Sequence, residues 1–201
     1  MLSLEEGTTA VAYARGIIQR YITRGELPDK KDLPSIFFQH YGVFVTLHRF
    51  ATHQLRGCIG IPEPIMPLKE ALVEAATSAT RDPRFPPLSA EELEDVIVEI
   101  TVLTPPSLLQ INQPKEYLSK VKIGRDGLIV EQGFYKGLLL PQVPVEQQWD
   151  VETFLGHTCM KAGLAPDAWI DDTTNVYAFQ GQIFSELKPD GAVKEKSFDD
   201  A

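Results

Sequence analysis

Residues 96–104 alternate and are apolar almost throughout, interrupted before the closing Thr104 only by Glu99 and Thr101, and no other stretch constrains the fold as strongly. β-Branched side chains at that density suit a central strand with at least one face in a core. A chain holding such a strand must also supply its neighbours and a layer to cover it.

The neighbours can be read from the same kind of pattern. Residues 41–50 are rich in aromatic and β-branched side chains, and after a polar stretch at 51–54 comes Leu55-Arg56-Gly57-Cys58-Ile59-Gly60, which together predict a hairpin. Asp126-Gly127, between residues 121–123 and 128–130, predicts a second hairpin, because a two-residue turn needs positive φ at its centre. Residues 133–137 mark a further turn into a strand at 138–140 that Pro141 closes, and 175–187 read as the last strand.

The covering layer is helical. Ala10, Ala14, Ile17, Ile18, Tyr21 and Ile22 fall on one helical face, with Thr8 or Thr9 as a cap and Gly25 and Pro28 as the stop, before a polar loop at 29–32. Leu68, Ala71, Leu72, Ala75, Ala76 and Ala79 define a second helix over about 67–80, halted by Asp82-Pro83-Arg84-Phe85-Pro86-Pro87. Residues 147–162 predict a third, with Gly163 near its end. The expected class is α+β, a mainly antiparallel or mixed sheet packed with about three main helices. Residues 1–187 are expected to form one domain, with room for a small lobe inside it, and 188–201 a mobile polar tail.

Composition narrows the function. With 201 residues the chain can bury one sizeable core, and its 43% apolar and 23% charged residues are ordinary globular usage. A net charge of −9 argues against coating nucleic acid, whose binding draws on clustered Lys and Arg, although a local basic pocket for a nucleotide stays compatible with it. No segment has the length and apolarity of a membrane span, and the first residues lack the apolar core of a secretion signal. Two cysteines, Cys58 and Cys159, are too few for a disulfide framework and read as free thiols in a cytoplasmic protein.

Five features in order resemble the AMMECR-one family. They are the hexapeptide at 55–60, Asp82-Pro83-Arg84-Phe85, Glu99 in a strand, Leu139-Leu140-Pro141-Gln142-Val143 followed by Trp149, and Cys159 with Lys161-Ala162-Gly163-Leu164 and Trp169. The resemblance runs from about residue 8 to residue 187. It implies a compact fold with a larger and a smaller lobe, no settled activity, and a prokaryotic association with a Memo-like protein and a radical-SAM protein.

The hexapeptide also concentrates the candidate chemistry. Strand alternation puts Arg56, Cys58 and Gly60 on one face, and Gly57 and Gly60 permit close approach of a ligand or of another backbone. Cys58 reads as a nucleophile activated by Arg56, as a ligand contact, or as a buried structural thiol. Arg56 suits an anionic ligand or an internal ion pair with Asp82 or Glu99. Glu99 reads as an acid/base group or as the structural partner of an arginine. Asp82 and Arg84 flank a proline in a rigid loop, poised over a cleft or capping a helix-ending turn. Gln142 and Trp149 offer an amide and an aromatic wall to a pocket, or, for Trp149, core packing.

Metal and nucleotide motifs are missing from the sequence. His40, His48, His53 and His157 do not form H-E-x-x-H, and neither G-x-G-x-x-G nor a Walker loop occurs, so no cofactor is indicated. The expected function is that of an enzyme or enzyme component acting on a small anionic metabolite or nucleotide through Arg56, Cys58 and Glu99. The alternative is a non-catalytic adaptor for the Memo-like and radical-SAM proteins.

Overall fold

The computed structural model describes residues 1–27 and 33–196; the expected polar loop at 29–32 and Pro28 lie outside the described residues. The helices are α1 (Leu4–Arg24), α2 (Leu68–Ala79), α3 (Tyr117–Lys120), α4 (Gln142–Glu146) and α5 (Val151–Lys161). The strands are β1 (Gly42–Arg49), β2 (Leu55–Ile61), β3 (Val96–Leu103), β4 (Ser107–Leu108), β5 (Asp126–Gln132), β6 (Tyr135–Leu139), β7 (Asn175–Glu186) and β8 (Val193–Lys196). The class is α+β. The chain divides into two compact units, the first made of Met1–Pro105 and Gln182–Lys196 and the second beginning at Pro106 and ending at Gly181, so that β7 contributes to both.

In the first unit β1 lies between β2 and β3, antiparallel to each, β3 neighbours β7, and the end of β7 pairs with β8. The register Val43↔Val102, Val45↔Ile100 and Leu47↔Val98 brings one alternating set of side chains onto one face. These residues are buried in a core with Ala10, Ala14, Ile17 and Ile18 of α1 and with Leu68, Leu72 and Ala75 of α2. Helix α1 starts earlier than Thr8 or Thr9 would place it, because Ser3 and Glu6 form a reciprocal capping box; Gly25 ends it at φ +69°, a conformation that glycine adopts without strain. Arg15 is buried, yet its guanidinium pairs with Glu186 and donates to the carbonyls of Leu93 and Val96.

In the second unit β5 lies between β6 and β7, and β4 pairs with β7. Leu128, Val130 and Val176 from the sheet bury with Phe154, Leu155 and Cys159 of α5 and with Tyr117 and Trp169. Two expectations need correction here. Asp126 and Gly127 are not a hairpin turn but the start of β5, pairing with Gln180 and Phe179; the turn lies just before them, where Asp126 accepts from the Lys122 N–H and Gly124 takes φ +77°. The hairpin turn is Gly133-Phe134, between β5 and β6. The helix expected over 147–162 begins only at Val151, as α5, because Gln148 has φ +56° and Asp150 caps α5 through the Thr153 N–H; the short α4 ends before that range, at Glu146.

Residues 193–196 of the expected tail form β8, whose backbone completes the edge of β7; residues 197–201 lie outside the described residues. Among the described residues no helix is long and apolar enough to cross a membrane.

Candidate functional site

The hexapeptide forms most of β2, at the edge of the first unit's sheet. Its glycines are occupied by the protein itself. A Cβ on Gly57 would lie 2.4 Å from the Ala79 carbonyl oxygen, so glycine here lets the end of α2 settle on the strand, and a Cβ on Gly60 would meet the ring of its cross-strand partner Phe44 at 2.2 Å. The close approach expected at these positions is therefore helix backbone at one and an aromatic ring at the other.

Arg56 is buried at 3% exposure and its fork engages Glu92 bidentately, with Nε to Oε1 at 2.8 Å and Nη2 to Oε2 at 2.9 Å. Its counter-ion is thus neither Asp82 nor Glu99. The register between β1 and β2 skips Arg56, passing from Leu47↔Gly57 to His48↔Leu55, so this residue sits at a bulge and strict alternation does not carry through it. Glu92 also accepts from the Ser89 N–H, and the Arg56 fork holds its carboxyl below the usual range.

Cys58 is half-buried and directly opposite Thr46, whose hydroxyl donates to its sulfur at 3.1 Å. The backbone of Cys58 is held by the 82–84 loop: its N–H donates to Asp82 Oδ2 at 2.9 Å, and its carbonyl accepts from Arg84 Nη2 at 3.2 Å. The loop thereby satisfies a stretch of strand edge that would otherwise lie open. Asp82 is buried and accepts from the Arg84 backbone N–H, Nε and Nη2 as well; chiefly through the Arg84 guanidinium its carboxyl is held far below the carboxylate range. Burial pushes the Cys58 thiol up, against the lowering pull of the Thr46 hydroxyl and of Arg84. A raised thiol carries less thiolate at neutral pH than a free cysteine.

Glu99 is directly opposite Thr46 on the other side of β1, so Cys58, Thr46 and Glu99 form a row across three strands on the face turned away from α1 and α2. Its partners are Lys196 of β8, with Nζ 2.8 Å from Oε2, and His48, with Nε2 3.6 Å from Oε1. No arginine among the described residues pairs with it. Burial alone would raise the Glu99 carboxyl, but the neighbouring His48 and the hydrogen-bonded Lys196 outweigh it and hold the group at about 2. It is a fixed carboxylate near neutral pH.

Arg84 is the most accessible charged group beside this row, its side chain 56% exposed. All its side-chain hydrogen bonds run through Nε and Nη2, which leaves Nη1 without a partner among the described residues. Phe85 has both guanidinium carbons close to its ring, that of Arg56 at 6.0 Å and that of Arg84 at 5.7 Å.

Gln142 opens α4 in the second unit, with its Oε1 buried and unpartnered among the described residues. Trp149 packs against that unit's core and stacks on His157, ring centroids 3.9 Å apart and planes within 4°. Among the described residues no group of three or more His, Cys, Asp and Glu side chains is arranged to hold a metal ion.

Sequence reasoning missed Thr46, His48, Glu92 and Lys196. The first two alternate with Phe44 in β1, a visible signal that they share a face; Ser89 three residues before Glu92 is a visible turn signal. Nothing marks Lys196, which lies in what reads as a tail.

Comparison with known proteins adds the family. A sequence profile of the AMMECR1 family matches residues 11–184. The chain belongs to the AMMECR1 family. It is 57% identical to Protein MJ0810 of Methanocaldococcus jannaschii over 98% of each chain, and 50% identical to Protein MK0488 of Methanopyrus kandleri over 97% of this chain and 95% of that one. The crystal structure of an uncharacterized protein, PH0010 of Pyrococcus horikoshii, is similar at a TM-score of 0.80, with 50% identity over 96% of this chain and 97% of that one. This chain and PH0010 thus share their fold.

Proposed function

We propose that this AMMECR1 protein binds a small anionic metabolite or nucleotide on the Cys58–Thr46–Glu99 face, with Arg84 holding the anion. The observation that carries the reading is the exposed Arg84 guanidinium, pinned from below by Asp82 and the Cys58 carbonyl while Nη1 keeps its hydrogen-bonding capacity. A pre-oriented planar fork loses little freedom on meeting a carboxylate or phosphate. Arg56, closed by Glu92, supports the strand and takes no part in anion binding. The protonated thiol suits contact with the ligand better than attack on it, and Glu99 orients the row as a carboxylate. A cytoplasmic setting keeps both thiols reduced.

The test is a thermal-shift and calorimetric screen of anionic metabolites and nucleotides, since a ligand of the folded state raises its stability by mass action. The expected result is a stabilising anion whose affinity falls at least about tenfold in Arg84→Ala and recovers in part in Arg84→Lys. An anion that binds Arg84→Ala as tightly as the parent, or a panel without any hit, sinks the reading.

A second reading, an adaptor for Memo-like and radical-SAM proteins, is favoured by the fully exposed Phe134 at the β5–β6 turn, next to the exposed Tyr135. Aromatic side chains at such positions are typical anchors of protein interfaces. Co-purification with either partner that is lost in Phe134→Ser supports this reading, and retention unchanged by the substitution removes it.

A further inference from the structure

We propose that the second unit carries a binding site for a neutral, hydroxyl-rich small molecule of monosaccharide size, distinct from the anion site proposed above. The site is a recess of about 230 Å³, bordered by the 108–114 segment, the 169–172 segment and the start of β7. Four residues with side-chain amides line it, Gln110, Asn112, Gln113 and Asn175, and none of these amides makes a hydrogen bond among the described residues. Each amide offers two N–H donors and a carbonyl acceptor. A hydroxyl both donates and accepts, so a ring bearing several hydroxyls is the ligand whose chemistry matches a cluster of amides.

The charges at the recess point the same way. Its lining holds no Lys or Arg, while Asp171 and Asp172 add two carboxylates that can only accept, the first already engaged by Thr173. That lining repels phosphates and carboxylates and rewards hydroxyl donors. Trp169 and Ile170 give the recess an apolar side against which the C–H face of a sugar or polyol ring can rest. The volume is below the range usual for drug-sized ligands, so it fits one ring and not a nucleotide.

The amides are also presented from fixed backbone. The Gln110 carbonyl accepts from Lys120 Nζ, the Asn112 N–H donates to Glu116 Oε1 at 3.3 Å, and the Leu109 N–H donates to the Val176 carbonyl at 2.9 Å. Groups held in place before binding lose less freedom when the ligand arrives.

The experiment is a titration of the uniformly ¹⁵N-labelled full chain with D-glucose, D-galactose, D-ribose, myo-inositol and glycerol, followed through the side-chain NH₂ resonances in ¹H–¹⁵N spectra. The expected result is that at least one of these probes gives saturable shifts in the amides of Gln110, Asn112, Gln113 and Asn175. Asn112→Ala combined with Asn175→Ala, both exposed positions, should weaken that binding at least about tenfold while leaving the rest of the backbone spectrum in place. If the double variant loses its folded spectrum, Gln113→Ala alone is expected to weaken binding in the same sense. Absence of saturation with every probe, or affinity unchanged in a folded variant, overturns the proposal. Neither outcome bears on binding at Arg84, which the anion screen reads separately.

Discussion

A buried guanidinium is tolerated only while its counter-charge stays beside it, and Arg15 is the plainest case in this protein. Arg15 and Glu186 are each about 3% exposed in their side chains, and Glu186 also accepts from the Val98 N–H at 2.8 Å. Arg15→Ala leaves a buried carboxylate without its cation and should lower unfolding free energy by about 3–5 kcal/mol, whereas Arg15→Met with Glu186→Leu should recover much of that loss. Urea denaturation of the two variants measures both.

Glu99 makes a prediction in pH. Its folded-state carboxyl, at about 2, lies below the ordinary value of 4.5, so its contribution to stability is present above about pH 4.5 and is lost as pH falls toward 2. Glu99→Gln should flatten that part of the acid limb of stability against pH, and an unaltered limb would assign the acid loss to other groups such as Asp82. At this scale the sequence reveals residue types better than partners. Arg56 reads correctly as a residue that needs an anion, but its anion is Glu92, which the fold brings in from a turn thirty-six residues away. Glu99 reads correctly as a carboxylate in an apolar strand, yet Lys196 arrives through β8, and no local pattern marks that contact.

Among the elements, β2 and α2 are locked by a missing side chain. Gly57→Ala places a methyl 2.4 Å from the Ala79 carbonyl oxygen, a backbone atom that cannot rotate away. The strand or the helix must shift, and the expected cost is about 1–3 kcal/mol, read from the denaturation midpoint. Because Cys58 is the next residue, the same variant should also loosen its contact with Asp82, visible as faster amide hydrogen exchange at Cys58. Helices α1 and α2 are legible from periodicity because each buries one regular face, and strand β3 from its density of β-branched side chains. Asp126-Gly127 misleads because a residue pair that suits a turn also suits the entry of a strand, where Gly127 leaves room for the Phe179 ring. The Asp side chain is spent capping the preceding loop.

For the whole molecule, the order of the chain matters more than its composition. The first unit is discontinuous: residues 1–105 hold its helices and three strands, but Glu186, the counter-ion of Arg15, comes from the later segment Gln182–Lys196. A fragment of residues 1–105 should therefore fail to give a dispersed NMR spectrum, since its buried cation has no partner and the far side of β3 has no β7. Adding a peptide of residues 182–196 should restore some dispersion; a fragment already folded without it would refute this account.

The placement of the aromatic residues has a practical consequence. Both tryptophans of the chain, Trp149 and Trp169, belong to the second unit, one stacked on His157 and the other packed edge-on against Tyr117. Intrinsic indole emission is therefore an optical reporter of that unit alone, whereas far-ultraviolet ellipticity is weighted toward α1 and α2 of the first. Melting curves recorded by the two signals should superimpose if the units come apart together and separate if they do not, with no label or substitution introduced.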